Sequence, residues 1–235
     1  MTIAFITGAS KGLGYATAAR LSDAGVHVVI GARDASRGEA AAAALGAEGV
    51  VCDVTDDLSV RAAAEAVRAR HGRVDILVNN AGILPEAFGA DGVDAFRETF
   101  ATNLFGAVAT TEAFLPLLRE SPAGRIVNVS STMGSLADQS DPASGYYGLI
   151  VPAYQASKAA LNSVTVGWSK ALADTPIKVN AVCPGWVQTD LGGPDNRAAA
   201  PTPPEAAAEI VTRLALLDHD GPTGGFFDVA GRVRW

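Results

Sequence analysis

The sequence predicts an α/β fold in which a mostly parallel, seven-stranded sheet is covered by helices on both faces. Apolar runs of strand length alternate with alanine-rich helical stretches over nearly the whole chain. The apolar runs lack the polar alternation of a half-exposed strand, which indicates strands that are buried on both faces. No linker divides the 235 residues, so we expect one domain, residues 1–235, with a substantial core.

The predicted elements follow one another as strand and helix. The strands cover residues 2–7, 26–31, 49–54, 74–79, 125–130, 177–183 and 225–229. Helical patterns lie between them, at residues 12–24, 35–46, 56–71, 94–119, 152–173 and 204–217. This alternation is the doubly wound pattern, in which ligands bind beyond the carboxyl ends of the strands.

Three segments fit neither element type: residues 82–93, 132–151 and 189–204, which carry glycines and prolines. Each follows a predicted strand, so we expect all three at the carboxyl edge of the sheet. Long loops in a compact domain usually serve a ligand site.

Composition argues against several classes of protein. The net charge of −7 disfavours a nucleic-acid partner or an anionic membrane surface, since both require clustered Lys and Arg. No apolar run approaches the ~20 residues that span a bilayer, and the first residues show no signal peptide. The two cysteines, Cys52 and Cys183, form no C-x-x-C motif, which argues against a disulfide scaffold or a zinc site. We therefore expect a cytoplasmic protein without a membrane or nucleic-acid partner.

The first strand runs into a glycine-rich loop, TGASKGLG (residues 7–14), which a helix follows. Glycines at 8, 12 and 14 allow a tight turn, close backbone approach and an open helix N-terminus that faces an anion. The loop therefore predicts a dinucleotide site, and the alternative is a glycine-rich turn with no ligand.

The end of the second strand indicates which dinucleotide binds. An acidic residue here is typical of NAD sites, whereas an arginine accommodates the 2′-phosphate of NADP. The strand ends in Ala32 and then Arg33, and Lys11 in the glycine loop could reach the same place. Asp34 suits the N-cap of the next helix, which would direct its carboxylate away from the phosphate. We predict NADP, with a solvated surface charge as the alternative interpretation of Arg33.

A possible acid–base pair lies in AYQASKAAL (residues 153–161). Tyr154 and Lys158 are four residues apart, so a helix places both side chains on one face. Tyrosine has a reference pKa of about 10, and a nearby ammonium group would lower it. Taken alone, the pair could also be an ordinary helix surface.

These motifs and their order resemble the short-chain dehydrogenase/reductase family, in its single-domain, carbonyl-reductase-like form. Besides TGASKGLG and YQASK, the resemblance rests on CDVT (52–55), NNAG (79–82), NLFG (103–106, with Asn103), VSS (129–131) and PGWVQT (184–189). It covers nearly the whole chain and implies a Rossmann-type fold.

The resemblance implies four catalytic residues: Asn103, Ser131, Tyr154 and Lys158. Tyr154 would supply the proton and Ser131 a hydrogen bond to the substrate oxygen. Lys158, with the positive nicotinamide, would lower the pKa of Tyr154 and hold the ribose. Asn103 would hold a water that connects Lys158 to solvent. The family pattern selects Ser131 over Ser130, and strand alternation turns only one of the two toward the cleft.

The predicted cofactor contacts follow the same motifs. They are Gly8, Ser10, Lys11, Gly12, Leu13, Gly14, Arg33, Asp53, Val54, Asn80, Ala81, Gly82, Tyr154, Lys158, Pro184, Gly185, Val187 and Thr189. The resemblance implies that Asp53 contacts the adenine and Thr189 the carboxamide. Asn79, Asn80 and Asn103 could instead be structural amides, which for Asn80 is the favoured interpretation.

The substrate pocket is predicted from residues 82–93, 132–151 and 186–204, with Met133, Tyr146, Tyr147 and Trp186 as lining side chains and Leu136 beside them. Their apolar character favours a medium-sized hydrophobic or aromatic carbonyl. The stretch from Ser131 to Tyr154 is longer than in typical short members, as in the carbonyl-reductase-like branch, some of whose members are monomeric.

The predicted function is an NADP(H)-dependent oxidoreductase that reduces a ketone or aldehyde, or oxidises the alcohol. The alternative is a catalytically silent dinucleotide-binding sensor or scaffold, which would carry a damaged catalytic set. An extended-branch epimerase or dehydratase would need a further substrate domain. Helices 94–119 and 152–173 could form a homo-oligomer interface, with a monomer as the alternative. No metal is expected, because His27, His71 and His219 lie in no motif.

Overall fold

The computed structural model describes residues 1–235 and contains one eight-stranded sheet in the order β3-β2-β1-β4-β5-β6-β7-β8. The strands are β1 Ile3–Thr7, β2 His27–Ala32, β3 Glu48–Val51, β4 Ile76–Asn79, β5 Arg125–Val129, β6 Lys178–Val182, β7 Phe226–Asp228 and β8 Gly231–Arg232. All neighbouring strands are parallel except β7 and β8, which form an antiparallel hairpin. The predicted α/β, mostly parallel, doubly wound sheet is confirmed.

Nine α-helices connect the strands. They are α1 Gly12–Asp23, α2 Ala35–Leu45, α3 Asp57–His71, α4 Gly92–Phe100, α5 Gly106–Arg119, α6 Leu136–Gln139, α7 Pro152–Ala171, α8 Gly193–Ala199 and α9 Pro204–Ala215. Local sequence signals set several ends. Asp34 and Asp56 cap the starts of α2 and α3 through backbone N–H groups, and Gly46 and Gly72 end those helices in the left-handed conformation.

Two apolar cores sandwich the sheet. One, with Ile6, Leu21 and Val211 among its members, lies between the sheet and helices α1, α2 and α9. The other, with Phe5 and Phe114, lies on the opposite face under α3 and α5. The rings of Phe5 and Phe114 stack with centroids 4.2 Å apart. Burial on both faces explains why the strands lack polar alternation.

The strand order reverses direction between β1 and β4, which pair in register at Phe5 and Leu77. Loops on the two sides of this point leave the sheet in opposite directions and open a crevice at the carboxyl edge. The glycine loop follows β1, and the NNAG segment begins at the end of β4.

The structure departs from the sequence predictions in three places. β8 is an eighth strand of only two residues, too short to carry a pattern. The predicted helix 94–119 is interrupted by a π-helical turn, Ala101–Phe105. The segments 132–151 and 189–204 are not purely loops, because they contain α6 and α8. None of the helices combines the length and the apolar character needed to cross a membrane.

Candidate active site

The glycine loop makes the close approach that its sequence indicates. Gly8 and Gly12 adopt positive φ angles of 63° and 57°. A Cβ on Gly14 would lie 2.7 Å from the Gly8 carbonyl oxygen and 2.5 Å from Asn80 Nδ2. Only glycine therefore allows the loop to lie flat on the start of α1, whose first N–H groups remain open to an anion. Ser10 and Leu13, also predicted contacts, lie half-buried in this loop.

The NNAG segment is bound directly to the end of β1. The backbone N–H groups of Asn80 and Ala81 both donate to Thr7 Oγ1 at 3.0 Å. The Asn80 side chain donates to the carbonyl oxygens of Thr7 and Gly8 at 2.9 and 3.2 Å. Asn80 is thus a structural amide that fixes the loop, as the sequence favoured, and its role toward the cofactor stays a prediction.

The end of β2 presents Arg33 to solvent, while Asp34 is occupied with α2. Asp34 Oδ1 accepts hydrogen bonds from the Arg37 backbone N–H and from Ser36 Oγ, and these bonds hold the pKa of Asp34 below its ordinary value. The predicted helix cap is therefore present. Arg33 is close enough to Asp53 to contribute to the lowered pKa of that carboxyl, behind its stronger hydrogen bonds with Thr55.

The segment after β6 closes against the glycine loop. A Cβ on Gly12 would lie 3.3 Å from Thr189 Cγ2. Next to it, Lys11 Nζ lies 2.7 Å from Asp190 Oδ2, and Arg197 pairs with the other oxygen of Asp190 at 3.0 Å. Lys11 thus contacts Asp190, the residue after the PGWVQT segment, and its predicted reach toward a 2′-phosphate requires this exposed ion pair to open.

Helix α7 buries the two residues of the proposed acid–base pair. Tyr154 is 6% exposed and Lys158 is 4% exposed. Lys158 Nζ lies 5.5 Å from the centre of the Tyr154 ring and donates to the Val129 carbonyl oxygen, at the end of β5, at 2.9 Å. The pair is therefore not an ordinary solvated helix surface.

Burial shifts both groups toward their neutral forms. It raises the pKa of Tyr154 above its ordinary value, and a hydrogen bond with Ser131 opposes this shift only in part. Burial also lowers the pKa of Lys158 to about 8. Without bound cofactor, burial outweighs any lowering of the Tyr154 pKa by Lys158, so the lowering expected from Lys158 together with the positive nicotinamide stays a prediction. Tyr154 is held as a protonated phenol, the form that can donate a proton.

The two serines after β5 have different surroundings, which distinguishes their roles. Ser130 is 2% exposed and donates to Asn162 Oδ1 at 2.6 Å, inside the contact between β5 and α7. Ser131 is half-buried on the other side, where it hydrogen-bonds with Tyr154 and accepts from the Met133 N–H at 3.1 Å. The geometry thus places Ser131, not Ser130, beside the phenol.

Asn103 reaches the site because it lies in the π-helical turn Ala101–Phe105. Its side chain accepts from the Ile83 N–H at 2.8 Å and donates to the Ile83 carbonyl oxygen at 3.0 Å. It also donates to Ser157 Oγ on α7 at 3.1 Å. A Cβ on Gly82 would lie 3.5 Å from Asn103 Oδ1 and 3.6 Å from Lys158 Nζ, so Asn103 and Lys158 flank Gly82. Such π turns are common at functional sites.

Glu86 is a site residue that the sequence did not indicate. It lies in a 3₁₀ turn, Pro85–Phe88, and its two carboxylate oxygens accept from the N–H groups of Ala153 and Tyr154 at 3.0 and 2.9 Å. The adjoining N-cap residue, Val151, offers no side-chain cap. Glu86 therefore caps the first turn of α7, the turn that carries Tyr154.

The remaining predicted cofactor contacts lie in two places, next to α5 and in the segment after β6. Val54 packs on the start of α5, where a Cβ on Gly106 would lie 2.8 Å from it. Pro184 is half-buried, Gly185 has a φ of 84°, and Val187 forms a parallel bridge with Thr202.

The predicted pocket residues are unevenly buried. Met133 and Tyr146 are half-buried, and burial raises the pKa of Tyr146. Tyr147, Trp186 and Leu136 are 53%, 52% and 64% exposed. Trp186 is held by a hydrogen bond from its indole N–H to Asn196 of α8.

Comparisons with known proteins show which family the chain resembles. A family model described as short chain dehydrogenase matches residues 2–200. The chain is 37% identical to the short-chain dehydrogenase anuI of Penicillium roqueforti, over 91% of this chain and 88% of that protein. It is 34% identical to carbonyl reductase (NADPH) 1 of Sus scrofa, over 99% of this chain and 94% of that protein. Among solved structures, an NADPH-bound carbonyl reductase from chicken fatty liver matches with a TM-score of 0.81, at 27% identity, over 100% of both chains.

Proposed function

The chain belongs to the short-chain dehydrogenase/reductase family of oxidoreductases, and we propose that it is an NADPH-dependent reductase of ketones or aldehydes that also oxidises the corresponding alcohols. The observation that carries this proposal is the buried Tyr154 phenol with Ser131 on one side and Lys158 on the other.

The residues suit carbonyl reduction. The nicotinamide, when bound, supplies the hydride. Charge then develops on the carbonyl oxygen, which needs a proton donor and a second hydrogen bond. Tyr154, held in its protonated form, donates the phenolic proton, and the Ser131 hydroxyl donates a hydrogen bond to the same oxygen. Lys158 contributes positive charge beside the phenol as the proton leaves, which makes that transfer easier.

The glycine loop fits a dinucleotide site. A Cβ on Gly8 or Gly14 would crowd Ala81 or Asn80, so the glycines let the loop lie close to the NNAG segment. We assign the adenine side to Asp53 and the 2′-phosphate of NADP to Arg33. Two features support NADP over NAD. Arg33 is exposed at the end of β2, and Asp34, which could otherwise bind ribose hydroxyls, caps α2.

A fluorescence titration with NADPH and NADH tests the cofactor assignment. Arg33→Ala should weaken NADPH binding by about 10- to 100-fold, the worth of a charged hydrogen-bonded contact, and leave NADH binding almost unchanged. Arg37→Ala is the matched control, because Arg37 is exposed on the adjoining helix and pairs only with Asp34. Equal losses for both cofactors, or a wild-type preference for NADH, would contradict the assignment.

We propose an apolar substrate of medium size, because Leu136, Tyr147 and Trp186 expose apolar surface in two of the three segments expected to form the pocket. A panel of aromatic, aliphatic and phosphorylated carbonyl compounds, assayed by NADPH consumption, should show the highest kcat/KM for the aromatic or bulky aliphatic members. Ser131→Ala should lower kcat by about 100- to 1000-fold, as for loss of an oxyanion donor. Ser140→Ala is its control, because Ser140 is exposed and its hydroxyl donates only to Leu136. A preference for phosphorylated sugars would overturn the substrate class.

We also propose a cytoplasmic homo-oligomer. Val93, Phe96 and Phe105 expose apolar surface around α4 and the π turn, 64%, 39% and 61% respectively. Light scattering on the purified protein measures the assembly directly. A mass near the 23.9 kDa of one chain would contradict this part of the proposal.

A further inference from the structure

Two histidines and a glutamate meet at the amino edge of the sheet, opposite the glycine loop. His27 begins β2, Glu48 begins β3 and His71 ends α3. The sequence does not indicate this cluster, because His27 and Glu48 are 21 positions apart and Glu48 and His71 are 23 positions apart. Only the pairing of β2 with β3, and the return of α3 along the sheet, brings them together.

The ligand atoms have the spacing of a metal site. His27 Nε2 lies 2.7 Å from Glu48 Oε1, and His71 Nε2 lies 3.3 Å from a Glu48 carboxylate oxygen. All three donor atoms lie within 4.8 Å of one another. Tetrahedral zinc bonds N and O donors at about 2.0–2.2 Å, so its donors are roughly 3.3 Å apart. Small side-chain rotations would bring this set to that geometry.

The backbone holds these residues firmly while leaving the donors accessible. Glu48 pairs in register with Val29, two residues beyond His27 in β2, and α3 stops immediately after His71 at the left-handed Gly72. The side chains of His27, Glu48 and His71 are 24%, 31% and 9% exposed. An ion can therefore enter from solvent with a water as a fourth ligand.

The charges around the cluster also suit a cation. Glu48 carries the one carboxylate of the cluster, and His27 Nε2, Arg70 Nη1 and His71 Nε2 lie 2.7, 3.2 and 3.3 Å from its oxygens. Arg70 Nη1 lies 3.2 Å from the second carboxylate oxygen and is the one neighbouring cation that a metal would have to displace. Its side chain is 52% exposed and can swing into solvent.

We propose that His27, Glu48 and His71 form a zinc-binding site that ties β2, β3 and α3 together, away from the reaction site. Two imidazoles and a carboxylate are donors that zinc prefers. Because the ligands come from three separate elements, binding favours the folded chain by mass action.

The test is a Zn²⁺ titration of the chelator-treated protein. Binding is measured by thermal unfolding and by competition with a chelating dye. The expected result is one Zn²⁺ per chain and a higher Tm in zinc. His27→Gln, Glu48→Gln and His71→Gln should each weaken binding about 100-fold or more, as for loss of one of three protein ligands. The control is His219→Gln, because His219 is the only other histidine, and its side chain is 86% exposed.

Two further measurements keep the test decisive if a ligand variant folds poorly. Arg70→Gln leaves all three ligands in place and should tighten Zn²⁺ binding about two- to fivefold, since it removes an exposed ion pair that competes for Glu48. Co²⁺ bound to the wild-type protein should show the intense visible absorption of a four-coordinate site.

Several outcomes would overturn the site. They are the absence of stoichiometric Zn²⁺ binding, equal loss of binding in His219→Gln, and binding that Arg70→Gln leaves unchanged together with a six-coordinate Co²⁺ spectrum. In each of these cases the cluster is a hydrogen-bonded network or an adventitious surface site only. NADPH binding is an independent readout that this metal site leaves unaffected.

Discussion

The catalytic helix α7 differs sharply from two of the three segments expected to contact substrate in how its side chains are held. Tyr154 and Lys158 are buried, and they are bound by contacts with β5, Ser131 and the 3₁₀ turn that contains Glu86. Residues 132–151 and 186–204 instead expose large apolar side chains such as Tyr147 and Trp186. Buried contacts thus hold the reacting groups, whereas we assign substrate selection to exposed side chains whose replacement disturbs little else.

The buried region also carries a cost that the exposed region does not. Lys158 has a carbonyl oxygen as its hydrogen-bond partner, and no carboxylate lies in an ion pair with it. A buried ammonium without a counter-charge destabilises the fold, which is the origin of its lowered pKa. Four substitutions test this contrast between the buried and the exposed region.

Gly134→Val should have the largest effect, because it forces a side chain between the segment after β5 and α7. A Cβ at this position would lie 2.6 Å from the Lys158 carbonyl carbon and 2.8 Å from the Ala159 nitrogen. Backbone atoms cannot move aside locally, so we expect a loss of about 3 kcal/mol in the free energy of unfolding, the upper end for overpacking, and a loss of activity. Urea denaturation measures the change. Gly145→Val is the control, since that glycine has open space around it, and equal stability of the two variants would refute the close contact.

Lys158→Met should abolish turnover and yet stabilise the protein at pH 7. The folded-state pKa of Lys158 is about 8, below the ordinary value of 10.5, so below pH 8 the folded chain bears the cost of a buried charge. Between about pH 8 and 10 the unfolded chain binds more protons, and wild-type stability rises relative to the variant. We expect the variant to gain on the order of 2 kcal/mol at pH 7 and to lose that advantage by pH 10. A stability difference that is constant with pH would contradict a desolvated Lys158.

Glu86→Ala should loosen the first turn of α7 and displace Tyr154. Removing the two hydrogen bonds to Ala153 and Tyr154 should cost about 1 kcal/mol of stability, as for other helix caps. Since both carboxylate oxygens of Glu86 bind the turn that carries the phenol, kcat should fall about 10-fold while KM changes little. The readouts are steady-state kinetics and thermal unfolding, with Glu112→Ala, an exposed position on α5, as the control. A change in KM alone would show that Glu86 shapes the pocket instead.

Trp186→Ala should have the smallest effect on the fold, within about 0.5 kcal/mol, because its side chain is half-exposed. KM for a bulky carbonyl should rise several-fold with kcat and NADPH affinity preserved. Steady-state kinetics with a small and a bulky ketone separates these effects. If the small ketone is affected equally, Trp186 does not contribute to substrate selection.

The sequence predicted what local signals and ordered motifs encode. Asp34 as a helix cap and the tight glycine turn follow from residues near each other in the chain. Strand alternation and the family pattern separate Ser130 from Ser131. Contacts over long sequence distances could not be predicted in this way. Glu86 caps a turn 67 residues away, and nothing local to either segment signals the contact.

Backbone irregularities and the burial of individual side chains could not be predicted from the sequence either. The π turn at Ala101–Phe105 interrupts a pattern that is periodic on both sides. The direction of the Tyr154 pKa shift depends on burial that only the packed structure shows. Helical spacing predicted the neighbouring pair correctly, but not the desolvation that outweighs the charge of Lys158.

Turnover of an aromatic ketone with NADPH by Tyr154→Phe tests whether this phenol is the proton donor, with NADPH affinity measured on the same protein. We expect kcat to fall by about 100- to 10,000-fold, the contribution of a general acid, while NADPH binds as in the wild type. Tyr147→Phe, which alters an exposed tyrosine, should retain full activity. Wild-type turnover by Tyr154→Phe, or wild-type protein that binds NADPH but reduces no carbonyl compound, would contradict the account and favour a silent dinucleotide-binding protein.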